Sequence, residues 1–443
     1  MLSSQYHRVK TCDDVQNMDA KILKKKCSRS TDSWNLEVST IAKNTFNPIR
    51  ALVDQMKLTP NPEKSMIALS IGDPTVFGNL KPADNVVQAI VDSVKSEKWN
   101  GYLPSIGAES ARDAVAQYAR RENAPLTAKD VILTSGASGA LDICITALAN
   151  PGDNILVPKP GFSLYKTLAD SLGIQVRHYN LLPDKGWEVD TNHLISLLDE
   201  RTAAIVLCNP SNPCGSVYSK KHLETVLGVC EEFKLPVIAD EIYADFTFPD
   251  QTFHSMASVN QNIPILSCGG LTKRWLIPGW RMGWICINDT QNKFPELRKG
   301  LVALSQRILG PNSVTQGALE CILMNTPQEF YDSTCQTVAR HAKILYDIFL
   351  ECPGLKPVMP QGAMYMMVGI NLSSFPDYKN EVEFTENLVT EQSVFCLPAS
   401  CFQYPGYFRV VLTVPENKLL EAGNRIRQFC YDHFSKERNG KSS

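Results

Sequence analysis

Nowhere in this 443-residue chain do apolar residues run unbroken for the roughly 18 positions that a membrane-spanning helix needs. Neither sign of charge dominates. Lys+Arg number 44 and Asp+Glu 46, a net of −2, so bulk charge points neither to nucleic acid nor to an acidic membrane surface. No C-x-x-C pair occurs among the 14 cysteines, which argues against a zinc site or a thioredoxin-like redox motif, and no metal is expected. The G-x-G-x-x-G fingerprint and the P-loop lysine are also missing, and dinucleotide and ATP binding lose support with them. The opening residues have no apolar centre of the kind a secretion signal uses, and Asp13, Asp14 and Asp19 do not suit a mitochondrial presequence. Scattered thiols without such a signal fit a reducing compartment, so a cytoplasmic location is expected. What is present is ordinary globular material. A hydrophobic share of 44% excludes disorder over the whole chain, and the length suits about two or three domains.

Residues 1–38 are polar, with lysines at 21, 24, 25 and 26 and no sustained periodicity, and read as a mobile tail. The last stretch, 436–443, reads as a frayed end. From about residue 76 to 320, short apolar runs alternate with helical patterns. The runs are Asp130–Thr134, Asn154–Val157, Ala203–Leu207, Pro236–Ala239, Ile263–Ser267 and Met282–Ile287. Near-continuous apolar strands separated by helices such as Ala137–Leu148 and Lys220–Phe233 predict an α/β unit, its mostly parallel sheet covered on both faces. From about 325 the texture becomes α+β. A long amphipathic segment, Glu329–Leu350, precedes short strands at Met364–Ile370 and Phe408–Val414 and a last helix at Asn417–Phe434. A large domain over 76–320 and a small one from 39–75 with 321–435 are therefore expected.

Four motifs follow predicted strand ends, where ligands gather in open α/β sheets. Thr134 to Ala140 is a small-residue turn into a helix, able to bring backbone N–H groups to a phosphate; it includes Gly136, Ala137 and Ser138. Pro158 to Phe162 sets an aromatic ring at a strand end, and Phe162 can stack on a planar heterocycle. Asn209 to Gly215 and Asp240 to Tyr243 offer hydrogen bonds to a phenolate oxygen from Asn212 and Tyr243. They also offer a carboxylate, Asp240, to keep a pyridine nitrogen protonated. Ser267 to Lys273 ends in a lysine able to form an imine with an aldehyde, and Arg281 follows with a fork that suits phosphate. Each motif alone has a plainer explanation: a structural glycine turn, a packed aromatic, a proline-rich loop, a surface lysine.

Taken together, NPSNPCGSV, PGFSLYKTLA, ILSCGGL-x-KRWL-x-PGWR, LSQRILGP and GAMY-x-MVGI make the chain resemble the class I aminotransferases of the fold-type-I pyridoxal-phosphate enzymes over about residues 40–435. The resemblance implies pyridoxal 5′-phosphate as cofactor, with Lys273 as imine-forming lysine and proton carrier. It implies Asp240 at the ring nitrogen, Asn212 and Tyr243 at the ring hydroxyl, and Phe162 on the ring face. Gly136, Ala137, Ser138 and Arg281 would hold the phosphate, and Gly72, Asn212 and Arg409 the substrate α-carboxylate. Tyr102 would reach a phosphate across a homodimer interface, so the active sites would be shared. Gly270 departs from relatives that carry a phosphate-binding serine there, so one phosphate contact is expected to be absent or replaced by Thr272 or Ser267. The matches around Phe162, Lys273 and Arg307 further imply L-tyrosine as donor and 2-oxoglutarate as acceptor, the opening step of tyrosine breakdown, with phenylalanine accepted less well. Kynurenine, alanine or aspartate specificity, or a lyase or synthase on the same fold, are the alternatives. Arg307 fits a helix-end role as well as any substrate role.

Overall fold

The structure is a computed structural model and describes residues 36–435. The expected tail lies outside the described residues except for 36–38, and the expected frayed end at 436–443 lies wholly outside them.

The strands in chain order are β1 (Ile67–Ala68), β2 (Val131–Ser135), β3 (Asn154–Lys159), β4 (Gln175–Leu182), β5 (Glu188–Val189), β6 (Thr202–Cys208) and β7 (Val237–Asp240). They continue with β8 (Ile265–Gly270), β9 (Met282–Asn288), β10 (Leu355–Pro357), β11 (Tyr365–Ile370), β12 (Val394–Phe395), β13 (Leu397–Pro398) and β14 (Tyr407–Val411). The large sheet runs β2-β9-β8-β7-β6-β3-β4-β5. Its centre, β8 through β4, is parallel, as the apolar runs predict. Ile205, Val206, Leu207, Val237, Ile238, Ile265 and Leu266 are completely buried because helices cover both faces. The helix Gly136–Leu148 packs Ala140, Leu141 and Cys144 on one of them.

Two strands break the parallel order. β9 lies antiparallel between β8 and β2, and β5 is antiparallel at the far edge. The β9 reversal decides where the site forms. Antiparallel neighbours need only a short link, and residues 271–281 provide it, so the start of β9 returns to the edge at which β8, β7 and β2 end. The strand β4 has no counterpart among the expected runs. It carries Gln175, Arg177 and His178 part-exposed near the sheet margin, so no continuous apolar stretch marks it.

The second sheet is antiparallel throughout, in the order β10-β11-β14-β13. Helices Gln328–Glu351 and Glu416–His433 pack beneath it through Val338, Ala342, Leu345 and Phe349 and through Leu419, Ala422, Ile426 and Phe429. Those spacings give each helix one apolar stripe. A parallel pairing of β1 with β12 draws residues 67–73 to this sheet from more than 300 residues away in sequence, and Leu69 O accepts the Val411 N–H at 2.8 Å. No helix among the described residues is long and apolar enough to cross a membrane.

Candidate active site

At the end of β2, Gly136 turns with φ +71° into the helix Gly136–Leu148. A side chain there would be strained by that φ and would also overlap the Arg281 guanidinium. Gly283 on β9 is needed equally, since a Cβ would run into the Gly136 and Ala137 backbone. Arg281 follows the turn Pro278–Trp280 in the left-handed region, φ +52°. Its Nη1 donates to Pro278 O at 3.0 Å and its Nη2 to the Ser138 hydroxyl at 2.9 Å. An exposed guanidinium, a serine hydroxyl and the unpaired N–H groups of a helix start thus face the same space, a cradle for an anion.

Asp240, at the end of β7, is only 3% exposed. It accepts a hydrogen bond from Tyr165 OH at 2.6 Å and a longer one from Ile242 N at 3.3 Å. Burial raises its carboxyl above the usual carboxylate range, against the pull of the Tyr165 hydroxyl, the Ile242 N–H and the Lys273 charge. A buried acid with only neutral hydrogen-bond partners is suited to a cationic ring nitrogen. Phe162 lies beside it, its ring edge-on to Tyr165 at 5.8 Å. Lys273, on the link between β8 and β9, donates from Nζ to Gly72 O at 2.7 Å and stands 5.9 Å from the Tyr243 ring centroid.

The small sheet supplies the other wall. Arg409 on β14 is 4% exposed and lies between the rings of Tyr365 and Phe402, at 4.3 and 5.0 Å. Its Nη1 donates to Asn212 Oδ1 at 3.1 Å and its Nη2 to Ser70 O at 2.8 Å, while Nε is buried without a partner. A buried, unsatisfied N–H on a held guanidinium is suited to a carboxylate. Ile49, Val53, Ile71, Phe395 and Leu397 form an apolar stretch nearby, and the whole cleft encloses about 690 Å³.

Gly72, Ala137, Ser138, Phe162, Asn212, Asp240, Tyr243, Lys273, Arg281 and Arg409 all line this one cleft. Gly136 lies directly behind it. Tyr102 does not join them: it is 95% exposed and outside the cleft of its own chain. Of the two substitutes expected opposite Gly270, Thr272 lines the cleft. Ser267 does not, because its hydroxyl accepts from Asn288 Nδ2 at 3.1 Å inside the sheet. Arg307 lies at a separate groove with Thr134 and Asp142, away from the cleft. Tyr165 and Tyr365 were not singled out for the site from sequence. Both stand inside recognised motifs, three residues after Phe162 and three after Gly362, where a tyrosine reads as core. Among the described residues no cluster of three or more His, Cys, Asp or Glu could hold a metal.

The family model "Aminotransferase class I and II" matches residues 64–426. The chain belongs to the class I and II aminotransferases. It is 58% identical over 402 residues to the tyrosine aminotransferase of Mus musculus, covering 90% of this chain and 88% of that protein. It is 49% identical to the tyrosine aminotransferase of Dictyostelium discoideum, covering 92% and 99%. The crystal structure of tyrosine aminotransferase from Leishmania infantum superposes with a TM-score of 0.88 at 38% identity, over 91% of this chain and all of that one. Aminotransferases of this fold use pyridoxal 5′-phosphate to move an amino group between an amino acid and a 2-oxo acid. The cleft of this aminotransferase fits that cofactor, with a lysine for its aldehyde, a buried acid short of a cation for its ring nitrogen, and an anion cradle for its phosphate.

Proposed function

We propose that this aminotransferase takes the amino group of L-tyrosine and delivers it to 2-oxoglutarate, releasing 4-hydroxyphenylpyruvate and L-glutamate. The observation that carries the reading is one cleft in which Lys273 and the buried Asp240 stand between two separately held arginines, Arg281 and Arg409. One arginine suits the cofactor phosphate and the other the substrate carboxylate. Bound pyridoxal phosphate supplies the electron-withdrawing ring that accepts the electron pair left on the substrate α-carbon. Lys273 would hold the cofactor aldehyde, and its Nζ would carry the α-proton. Its hydrogen bond to Gly72 O keeps that amine at the carboxylate end of the cleft. Asp240, oriented by Tyr165, would hold the ring nitrogen protonated, Asn212 and Tyr243 would bind the ring hydroxyl oxygen, and Phe162 would cover the ring face. Ala137, Ser138 and Arg281 would grip the phosphate. Arg409, fixed by Asn212 and Ser70, forks onto the α-carboxylate beside Gly72.

The names of the relatives and the apolar stretch from Ile49 to Leu397 support an aromatic donor. An exposed Tyr102 outside its own cleft supports a homodimer with shared sites, and unpaired cysteines support the cytoplasm. Residues 76–320 are proposed as the large domain, and 39–75 with 321–435 as the small one. Comparing kcat/KM for tyrosine, phenylalanine, kynurenine, alanine and aspartate with 2-oxoglutarate tests the substrate. Tyrosine should lead, with phenylalanine behind it, and aspartate or alanine in first place would overturn the assignment.

A further inference from the structure

The side chain of Tyr365 is buried, belongs to none of the roles above and touches three of the groups that do. Tyr243 OH donates to it at 2.8 Å. A Cβ on Gly72 would stand 2.8 Å from it, so it packs directly over the Gly72 α-carbon. Its ring carries the Arg409 guanidinium at 4.3 Å. Tyr365 faces Val411 across the β11–β14 ladder while Met367 faces Arg409, so Tyr365 and Arg409 are diagonal neighbours on one face of the small sheet.

A phenol has one proton to donate and two lone pairs with which to accept. In this structure Tyr243 spends its proton on Tyr365. It cannot also donate that proton to a cofactor oxygen. On the reading given under Proposed function, an anionic ring oxygen sits before Tyr243 and competes for that same proton.

We propose that Tyr365 is a positioning residue for Tyr243, turning from acceptor to donor when the cofactor ring oxygen takes the Tyr243 hydrogen bond. The result is a two-phenol chain, Tyr365 OH to Tyr243 OH to ring oxygen. No proton leaves either tyrosine; only the direction of the first hydrogen bond reverses. Each bond in such a chain polarises the next, so Tyr243 becomes a stronger donor. The surroundings favour this direction. Burial would raise the Tyr365 phenol, yet the Lys273 and Arg409 cations and the Tyr243 hydrogen bond outweigh it, against a small opposing push from Cys208, and hold it below the usual phenol range. Tyr243, by contrast, is pushed well above that range, by burial first and by its partner Tyr365 next. The Lys273 and Arg409 cations act on the Tyr365 phenol whichever way the hydrogen bond runs, and they favour it as a donor.

The test is a pH titration of cofactor absorbance in the loaded protein, for wild type, Tyr365→Phe, Tyr243→Phe and the double variant. The ring oxygen depends most on Tyr243 when the lysine nitrogen beside it has lost its proton, so weakening that bond raises the midpoint. Tyr365→Phe should raise it by about 0.3 pH unit, about a twofold change in the equilibrium. Tyr243→Phe should raise it further, and the double variant should match Tyr243→Phe alone. Phenylalanine keeps the ring beneath Arg409, so amino-acid KM should stay near the wild-type value. Fluorotyrosine at position 365, a stronger donor, should lower the midpoint and provides a second probe where Phe disturbs packing. An unchanged midpoint in Tyr365→Phe while Tyr243→Phe shifts it overturns the chain and leaves the cofactor reading intact. Equal shifts from Tyr365→Phe in both backgrounds overturn it too. A midpoint unmoved by either variant overturns both the chain and the placement of Tyr243.

Discussion

The two walls of the cleft are built differently. The wall proposed to hold the cofactor, here the cofactor wall, consists of strand ends and the turns that follow them, Ser135 to Ser138, Asp240 to Tyr243 and Thr272 to Arg281. Each is a short local sequence at one edge of one sheet. The wall proposed to hold the substrate, here the substrate wall, joins Gly72, Tyr365 and Arg409, brought together by the β1–β12 pairing and the β11–β14 ladder. Its arginine is buried and stacked, whereas Arg281 on the cofactor wall is exposed. A cofactor that stays can be held by many shallow contacts to a charged phosphate. A substrate that comes and goes needs one preformed fork, already oriented and dried, so that little ordering is left for binding.

The largest break in this comparison is expected from Lys273→Ala. Transamination should fall by at least about 10³-fold, since the residue is proposed as both imine partner and proton carrier. Equilibrium dialysis should still find the cofactor bound, because the phosphate cradle is untouched. Wild-type turnover without added amine would remove Lys273 from the chemistry.

Behind the cofactor wall, Glu241 is 9% exposed and accepts from Met256 N at 2.9 Å. Burial pushes its carboxyl up from 4.5 to about 7, against that N–H and the Arg121 charge. Its folded pKa lies above the unfolded one, so its stabilising contribution is complete below pH 4.5 and is lost as pH rises through about 7. The swing amounts to about 3 kcal/mol. Urea midpoints measured across this window should fall with pH in the wild type and flatten in Glu241→Gln.

Arg409→Lys sharpens the comparison from the other side. A point charge cannot reproduce the stacked fork, so kcat/KM for the amino acid should drop by about 100-fold while the dissociation constant of the cofactor holds. The smallest effect belongs to Ser138→Ala, one hydrogen bond of the cradle. Cofactor affinity should weaken by about fivefold with amino-acid KM unchanged. If Arg409→Lys loosens the cofactor, or Ser138→Ala raises KM, the walls are not independent.

The local character of the cofactor wall made it legible. Gly136, Ser138, Asp240, Lys273 and Arg281 sit where an apolar run stops and small or polar residues begin, a change visible along the chain itself. The central strands were legible for a related reason: parallel strands buried on both faces must be apolar at nearly every position. β4 escaped notice because its outer residues meet water. Tyr365 escaped because it is a tyrosine within an apolar strand, and Tyr165 because it sits among the packing positions of the helix Leu164–Ser171; only a partner from another element reveals either hydroxyl at work. Gly72 and Arg409 were placed by resemblance, since nothing beside either one in sequence signals the other.

By itself, then, the amino-acid sequence determined the alternation of buried strands and helices, the small-residue turns at the strand ends and the chemical types available there. Local sterics, side-chain polarity and periodicity act over a few residues and need no fold to express them. Tertiary structure alone decided that β9 would reverse and carry Arg281 back to Ser138, that Tyr165 would reach Asp240, and that Tyr243, Tyr365 and Arg409 would share one buried corner. Those contacts join residues 75 to 143 positions apart within the cofactor wall and 122 positions apart between the two tyrosines. The two buried pairs, Tyr165 with Asp240 and Tyr243 with Tyr365, form because burying the sheets and their helices takes these polar groups away from water.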